Sequence, residues 1–521
     1  MTASYEPGTL ESQTEHGPRH VPVTVDEVPV ETFDYRDAEK EKDPLDVEEE
    51  IYGLRGVAAF LVVCHHWSLL TFSMRIHKGY GSDAQPLFVQ LPIVRLFVSG
   101  YWAVCVFFVI SGFALSYKPL KLLHQKRQAD FAIAAASAAF RRFIRIFGPP
   151  IITTFLIALM VYNGWFENKG KTASGTPSLR PPKGETLSDQ LRHWLMSTIG
   201  FADPLSRNLH RGDNYIYDPV LWTIPIEFDC SLVIFMAHIA FSRLSSRARL
   251  FFHVFIAGYA LYLARWEFFL FLAGLLCADV HFHLQSVSQE TSYEDGDMEN
   301  LPLWSKPWRR DSFTRFQYAI SSSPTLTRLS QSLPWRRDSF TRFQSAVFRT
   351  SGPAFPVLKA FIGIVSFFGA LWLLSCPHLT NDAAITPGYK TLAAMAPSQF
   401  PQADKFWIPL GAVILVFAVD RTPILQRLFT NRFTQYLGRI SYAIYLVHGS
   451  LLWLYGWPLI AFFMPLTGSG TNAQYGWGVF LPTICFFPVV ICVADFAQRF
   501  VDAKMVSFSV WFEKKLVSKA A

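Results

Sequence analysis

Charge is scarce in this sequence. Asp, Glu, Lys and Arg make up 17% of its 521 residues, where a soluble domain carries about a quarter. With 48 Phe and 15 Trp, there is too much apolar surface for one water-soluble core, and the chain reads as a polytopic membrane protein. Cysteine patterning is absent as well. The seven cysteines include no C-x-x-C pair, which excludes the usual signatures of a zinc site or a disulfide framework. They sit in or at the ends of apolar stretches and read as small buried hydrophobes. No cleavable signal is evident: the first apolar run begins near Ile51 behind an acidic segment and reads as a retained span. The basic residues flank apolar segments and form no soluble patch, so no nucleic-acid partner is expected.

What charge there is lies unevenly. Residues 1–50 hold 15 Asp/Glu against 4 Lys/Arg, while the whole chain is net +7. The expected organisation follows from that contrast. Residues 1–50 form an acidic, disordered tail. Residues 51–283 carry the first half of a membrane domain, with spans at 51–72, 94–117, 147–163, 219–241, 250–264 and 266–283. A basic insert, 284–355, contains "PWRRDSFTRFQ" twice, at 307–317 and 334–344. Residues 356–510 carry the second half, with spans at 357–376, 406–419, 435–456 and 475–497, and 511–521 form a short tail. "ADFAIAAASAAFRRFIRIF" reads as an interfacial helix before the third span, and "LRHWLMSTIGF" as a re-entrant or interfacial piece. The fold class is therefore all-α, with about ten transmembrane helices. Placing the basic 118–146 stretch, the arginines near 243–249, the insert and Arg421–Arg432 in the cytoplasm puts both termini there too. Ser312 and Ser339, each behind paired arginines in the repeat, resemble sites for a basophilic kinase.

Four stretches carry polar residues into apolar surroundings. In "GLRGVAAFLVVCHHW", Arg55 and His66 are eleven residues apart, or three helical turns plus about 20°, so they share a face about 16 Å apart along the axis. His65 points elsewhere and reads as a packing neighbour. "RRFIR" puts Arg142 and Arg145 on one face, suited to bidentate recognition of phosphate. "VLWTIPIEFDC" sets Glu227 and Asp229 in an apolar span, which is costly and therefore suggests function. "LGRISYAIYLVHGSLL" aligns Ser441, Tyr445 and His448 as one polar stripe, with Tyr442 facing away. Arg, His, Glu and Tyr converging in one bundle could hold an anion and move a proton. The alternatives to catalysis are hydrogen bonding between helices, a proton-coupled transporter and a haem protein ligated by His66 and His448.

The ordered set "GLRGVAAFLVVCHH", "FRRFIRI", "LWTIPIEF" and "LGRISYAIYLVH", with a weaker match at "AQRFVDAKMVSF" (497–508), resembles the membrane acyltransferase-3 family over residues 51–510. Its long low-complexity additions suggest a fungal member. The resemblance implies an O-acyltransferase that uses acyl-CoA as co-substrate, entering from the cytoplasmic side, with no resident cofactor and no metal. It implies catalytic His66 and Glu227, the latter tuning His66. Arg55, Arg142, Arg145, Ser441, Tyr445 and His448 are expected to bind substrate or CoA. The acceptor would be a hydrophobic or amphipathic alcohol, as in secondary-metabolite tailoring, or a glycan or glycolipid. Membrane lipid is the remaining partner, in an endomembrane or the plasma membrane.

Overall fold

The computed structural model describes residues 49–517, apart from 300–353 and short stretches at 83, 168–172, 175–180, 207, 214 and 381. The acidic tail before residue 49 and the repeated insert with Ser312 and Ser339 lie outside the described residues. Within them every long element is a helix and no strand occurs. In chain order the longer helices are α1 (Glu49–Thr71), α2 (Tyr101–His124), α3 (Gln128–Tyr162), α4 (Leu187–Ala202), α5 (Thr223–Phe241), α6 (Ser246–Tyr262) and α7 (Trp266–Glu299). After them come α8 (Ala354–Leu374), α9 (Asp404–Arg421), α10 (Arg432–Leu451), α11 (Trp457–Thr467), α12 (Asn472–Ala497) and α13 (Ala503–Leu516).

Eight stretches among the described residues are long and apolar enough to cross a membrane. The chain is an all-α polytopic membrane protein. The two other expected spans are also helices. One, α6, has only 17 residues, and the other, α9, carries Asp404, Lys405, Asp420 and Arg421 at its ends.

α1 forms a wall between two cores. Ile51, Leu54, Ala58 and Val62 pack into a cluster with α2, α7 and α9. Ala59, Val63, Trp67 and Leu70 pack into a second cluster with α3, α5, α10 and α12. A helix apolar on all sides is the kind that ends up enclosed. Lipid gives no hydrophobic drive for helices to meet, so close packing has to hold them. Glycines permit it here: a Cβ on Gly56 would lie 2.3 Å from Gly438 N, and one on Gly112 would lie 2.1 Å from Phe271 O. Hence α1 packs backbone-to-backbone on α10, and α2 on α7.

Several expected boundaries are corrected. The interfacial piece and third span form one 35-residue helix, α3, running through Pro149 and Pro150. Proline removes the N–H that would bond the carbonyl four residues back. Pro150 thereby leaves the Ile146 carbonyl without its helical donor, and the Tyr442 hydroxyl donates to it at 2.8 Å. The residues expected to begin the second span, 94–97, form a separate 3₁₀ turn ahead of α2. The last expected span continues through a π-helical turn at Gln498–Asp502 into α13. What was expected to be a tail from 511 is therefore helical to Leu516, pinned to α3 by Glu513, which pairs with Arg141 at 3.1 Å and accepts from Ser137 at 2.9 Å. The span expected at 266–283 likewise extends as helix to Glu299, past the expected start of the insert.

Candidate active site

α1 and α10 run parallel, and two contacts fix their register. Near their starts, Arg55 Nη2 donates to Gly438 O at 3.1 Å. Eleven residues further on α1 and ten on α10, His66 meets His448. Their rings are 5.1 Å apart between centroids, and His66 Nδ1 lies 3.3 Å from His448 Nε2.

The surrounding carbonyls assign the protons. His448 Nδ1 lies 3.0 Å from Ile444 O and 2.8 Å from Tyr445 O. Both are acceptors, so this nitrogen carries hydrogen, and Nε2 of the neutral ring presents its lone pair. His66 Nδ1 is then the donor to it, shared with Val62 O at 3.1 Å. That leaves His66 Nε2 with a lone pair and no partner among the described contacts. His448 is wholly buried, whereas His66 is half-buried. The arrangement is a fixed imidazole behind a reachable one.

His65, beside it, is committed elsewhere. Its Nδ1 donates to Val98 O at 2.7 Å, and its ring meets His77 edge-on at 5.6 Å. Gly100 makes room for it, because a Cβ there would lie 2.5 Å from His65 Cδ2.

Toward the start of α1 the arginines converge. Arg142 Nη2 bonds Glu227 Oε1 at 3.0 Å. Arg145, exposed, is within electrostatic reach of Arg55 and Arg142. Arg55 Nε and Arg142 Nε are buried with no partner. Two unspent guanidinium donors, each within electrostatic reach of Arg145, fit an anionic, hydrogen-bond-accepting group such as phosphate. Asp502 joins them, facing Arg55 and Arg145. The sequence reading did not select it, although it sits in the stretch that most weakly matched the family pattern. Its signal is a carboxylate in the π-helical turn Gln498–Asp502, a geometry common at functional sites.

Other expectations need correction. Glu227 is bonded to Arg142 and makes no hydrogen bond to His66 among the described contacts; His448 holds that position. Ser441 spends its hydroxyl on Gly438 O of its own helix at 2.8 Å. Tyr445 donates to Val220 O at 2.5 Å and accepts from Thr223 at 2.8 Å. The α10 stripe therefore ties α10 to α1 and α5. Asp229 forms a bidentate pair with Arg211 at 2.6 and 3.1 Å, which accounts for the second carboxylate. Direct contact between His66 and His448 leaves no room for a porphyrin between them, so they do not act as opposed haem ligands.

A family model described as an acyltransferase domain matches residues 48–498. "O-acetyltransferase PaAT-1" of Phomopsis amygdali is 34% identical, over 89% of this chain and 84% of the relative. "Acyltransferase clz18" of Cochliobolus lunatus is 22% identical over 79% of this chain and 81% of the relative. "Acyltransferase R4" of a Phoma species is 21% identical over 79% and 80%. No solved structure matches the chain.

Proposed function

The chain belongs to this acyltransferase family, and from that premise we propose that it moves an acetyl group from acetyl-CoA to a hydroxyl of an amphipathic small molecule. It is an O-acyltransferase and an integral membrane protein, which sets the transporter alternative aside.

The observation that carries the mechanism is the His448–His66 contact with its assigned protons. His66 Nε2 takes the acceptor's hydroxyl proton as the oxygen attacks the thioester carbonyl. The buried His448 lone pair receives the Nδ1–H of the imidazolium that forms, holding the ring in one tautomer. When the tetrahedral intermediate collapses, the carbon–sulfur bond breaks. His66 returns the proton to the leaving sulfur, giving CoA thiol and an ester. Arg55 and Arg142 bind CoA phosphate with their unpartnered Nε–H groups, and Arg145 adds charge at the entrance. Glu227 positions Arg142. The 16 Å or so between Arg55 and His66 along α1 is a spacing that a pantetheine arm can bridge.

Spans this rich in aromatic residues suit an amphipathic acceptor, and secondary-metabolite tailoring is the role that goes with this reading. We read both termini as cytoplasmic from the basic loops, with the Arg142–Glu227 pair about 21 Å of helix from the Gln128–Ser242 contact at that face. The test feeds membranes containing the chain with labelled acetyl-CoA and separate panels of hydroxylated polyketides or terpenoids and of glycolipids. Label is expected in the first panel together with stoichiometric free thiol. Label confined to glycolipids would overturn the acceptor assignment, and thiol release without any ester would overturn the transfer itself.

A further inference from the structure

α3 and α5 run antiparallel, and polar contacts tie them at two levels far apart. At one end Arg142 bonds Glu227. At the other, fourteen residues back along α3, Gln128 Nε2 bonds the carbonyl of Ser242 just past α5, at 3.3 Å. The interval is about 21 Å of helix. Between these levels Phe131 meets His238 at 6.4 Å between ring centroids, and alongside that contact the two helices flank a groove of about 680 Å³, within the range of roughly 300–1,000 Å³ typical of ligand sites.

The reason for the gap is visible in the sequence. α3 presents Ala132, Ala135, Ala136 and Ala139 to it, side chains too short to reach Phe235 and Ile239 on α5. Ala132 and Ala136 are exposed, so the groove opens to the outside of the bundle. At its loop end stands Arg243, exposed and in no ion pair among the described residues, and Gln128, which meets Ser242 there, directly follows exposed Lys126 and Arg127 in sequence. Arg127 is matched by Asp130 at 2.8 Å, so the end remains cationic.

We infer that this groove is a specific site for an anionic membrane phospholipid: one acyl chain lies between α3 and α5, and the phosphate-bearing headgroup meets Arg243. Charge selects this occupant. A neutral lipid would fill the apolar groove equally well but leave the basic mouth unanswered, and juxtamembrane arginines favour anionic headgroups. The site is distinct from the His66 centre and goes beyond the acetyl-transfer reading. Since α3 carries Arg142 at the groove's far end, the lipid braces the helix that presents the CoA-binding arginines.

The test is native mass spectrometry of the purified full-length chain, titrated with dioleoyl phosphatidylserine or dioleoyl phosphatidylcholine. Wild type is expected to hold one phosphatidylserine in preference to phosphatidylcholine. Arg243→Gln should erase that preference, a loss of roughly fivefold for one surface arginine, while Arg243→Lys keeps it. Ala136→Phe should weaken both lipids together by filling the groove. Wild-type protein labelled with a diazirine-bearing phosphatidylserine needs no variant, and adducts should fall on Phe235, Ile239 and the α3 alanines. Equal binding of the two lipids, adducts elsewhere, or one-for-one displacement of the lipid by acetyl-CoA would overturn the assignment.

Discussion

At the scale of single residues, chemistry turns on which nitrogen keeps its lone pair. The 3.6-residue period was enough to put Arg55 and His66 on one face and to separate His65 from them. It could not reveal the partner of His66, because the partner comes from a helix almost four hundred residues away, set by the register of α1 on α10. His448 stood out in the sequence as a polar residue on an apolar helix, but its role depends on the carbonyls of Ile444 and Tyr445. Replacing it tests the tautomer argument. His448→Ala should lower kcat by roughly 10- to 100-fold, a fraction of the 10²–10⁴ typical of general-base catalysis, with KM for acetyl-CoA nearly unchanged. A variant whose main defect is in KM would make His448 a binding residue.

Asp218 offers a second residue-scale test. It lies just before α5, is 1% exposed, and leaves Oδ2 unpartnered. Burial pushes its carboxyl from the ordinary 3.8 up to about 8. The folded chain therefore keeps a proton that the unfolded chain releases near pH 4, so this residue makes stability fall as pH rises from about 4 to about 8. Asn caps a helix as well as Asp does and does not titrate. Asp218→Asn should melt higher than wild type at pH 8, with the gap closing toward pH 4; parallel melting curves would refute this.

At the scale of elements, the sequence misled wherever a helix broke a local rule. The sequence predicts a boundary near 147 between an interfacial helix and a span, yet α3 runs unbroken past it and through Pro149 and Pro150, because lipid-side helices tolerate proline when neighbours supply the missing bonds. Tyr442, judged to face away from the site, is one such neighbour. Tyr442→Phe keeps the ring and removes the donor, leaving the Ile146 carbonyl unsatisfied at a cost of about 1–3 kcal/mol. The purified variant should melt several degrees lower than wild type, and an unchanged midpoint would show that the bond does not brace α3. The extension of the C-terminal span into α13 was equally hidden. It depends on Glu513 finding Arg141 and Ser137, a contact across up to 376 residues of sequence that no window can see.

At the scale of the whole molecule, class and family were legible, since scarce charge, abundant aromatics and four ordered stretches all point the same way. The three-dimensional partition was not. α1 separates two cores and carries Arg55 at one level and the His66 imidazole at another, so the candidate site extends along a helix instead of lying in one loop cluster. In the proposed mechanism that geometry joins Arg55, Arg142 and Arg145, as the residues that bind CoA, to a half-buried base, and its central claim is that His66 is this base. The most direct test is acceptor-dependent release of CoA thiol by purified His66→Gln beside wild type, with acetyl-CoA binding measured on the same samples. Retained binding with thiol release lowered by about 10²–10⁴-fold is the predicted result. Release at the wild-type rate would contradict the claim.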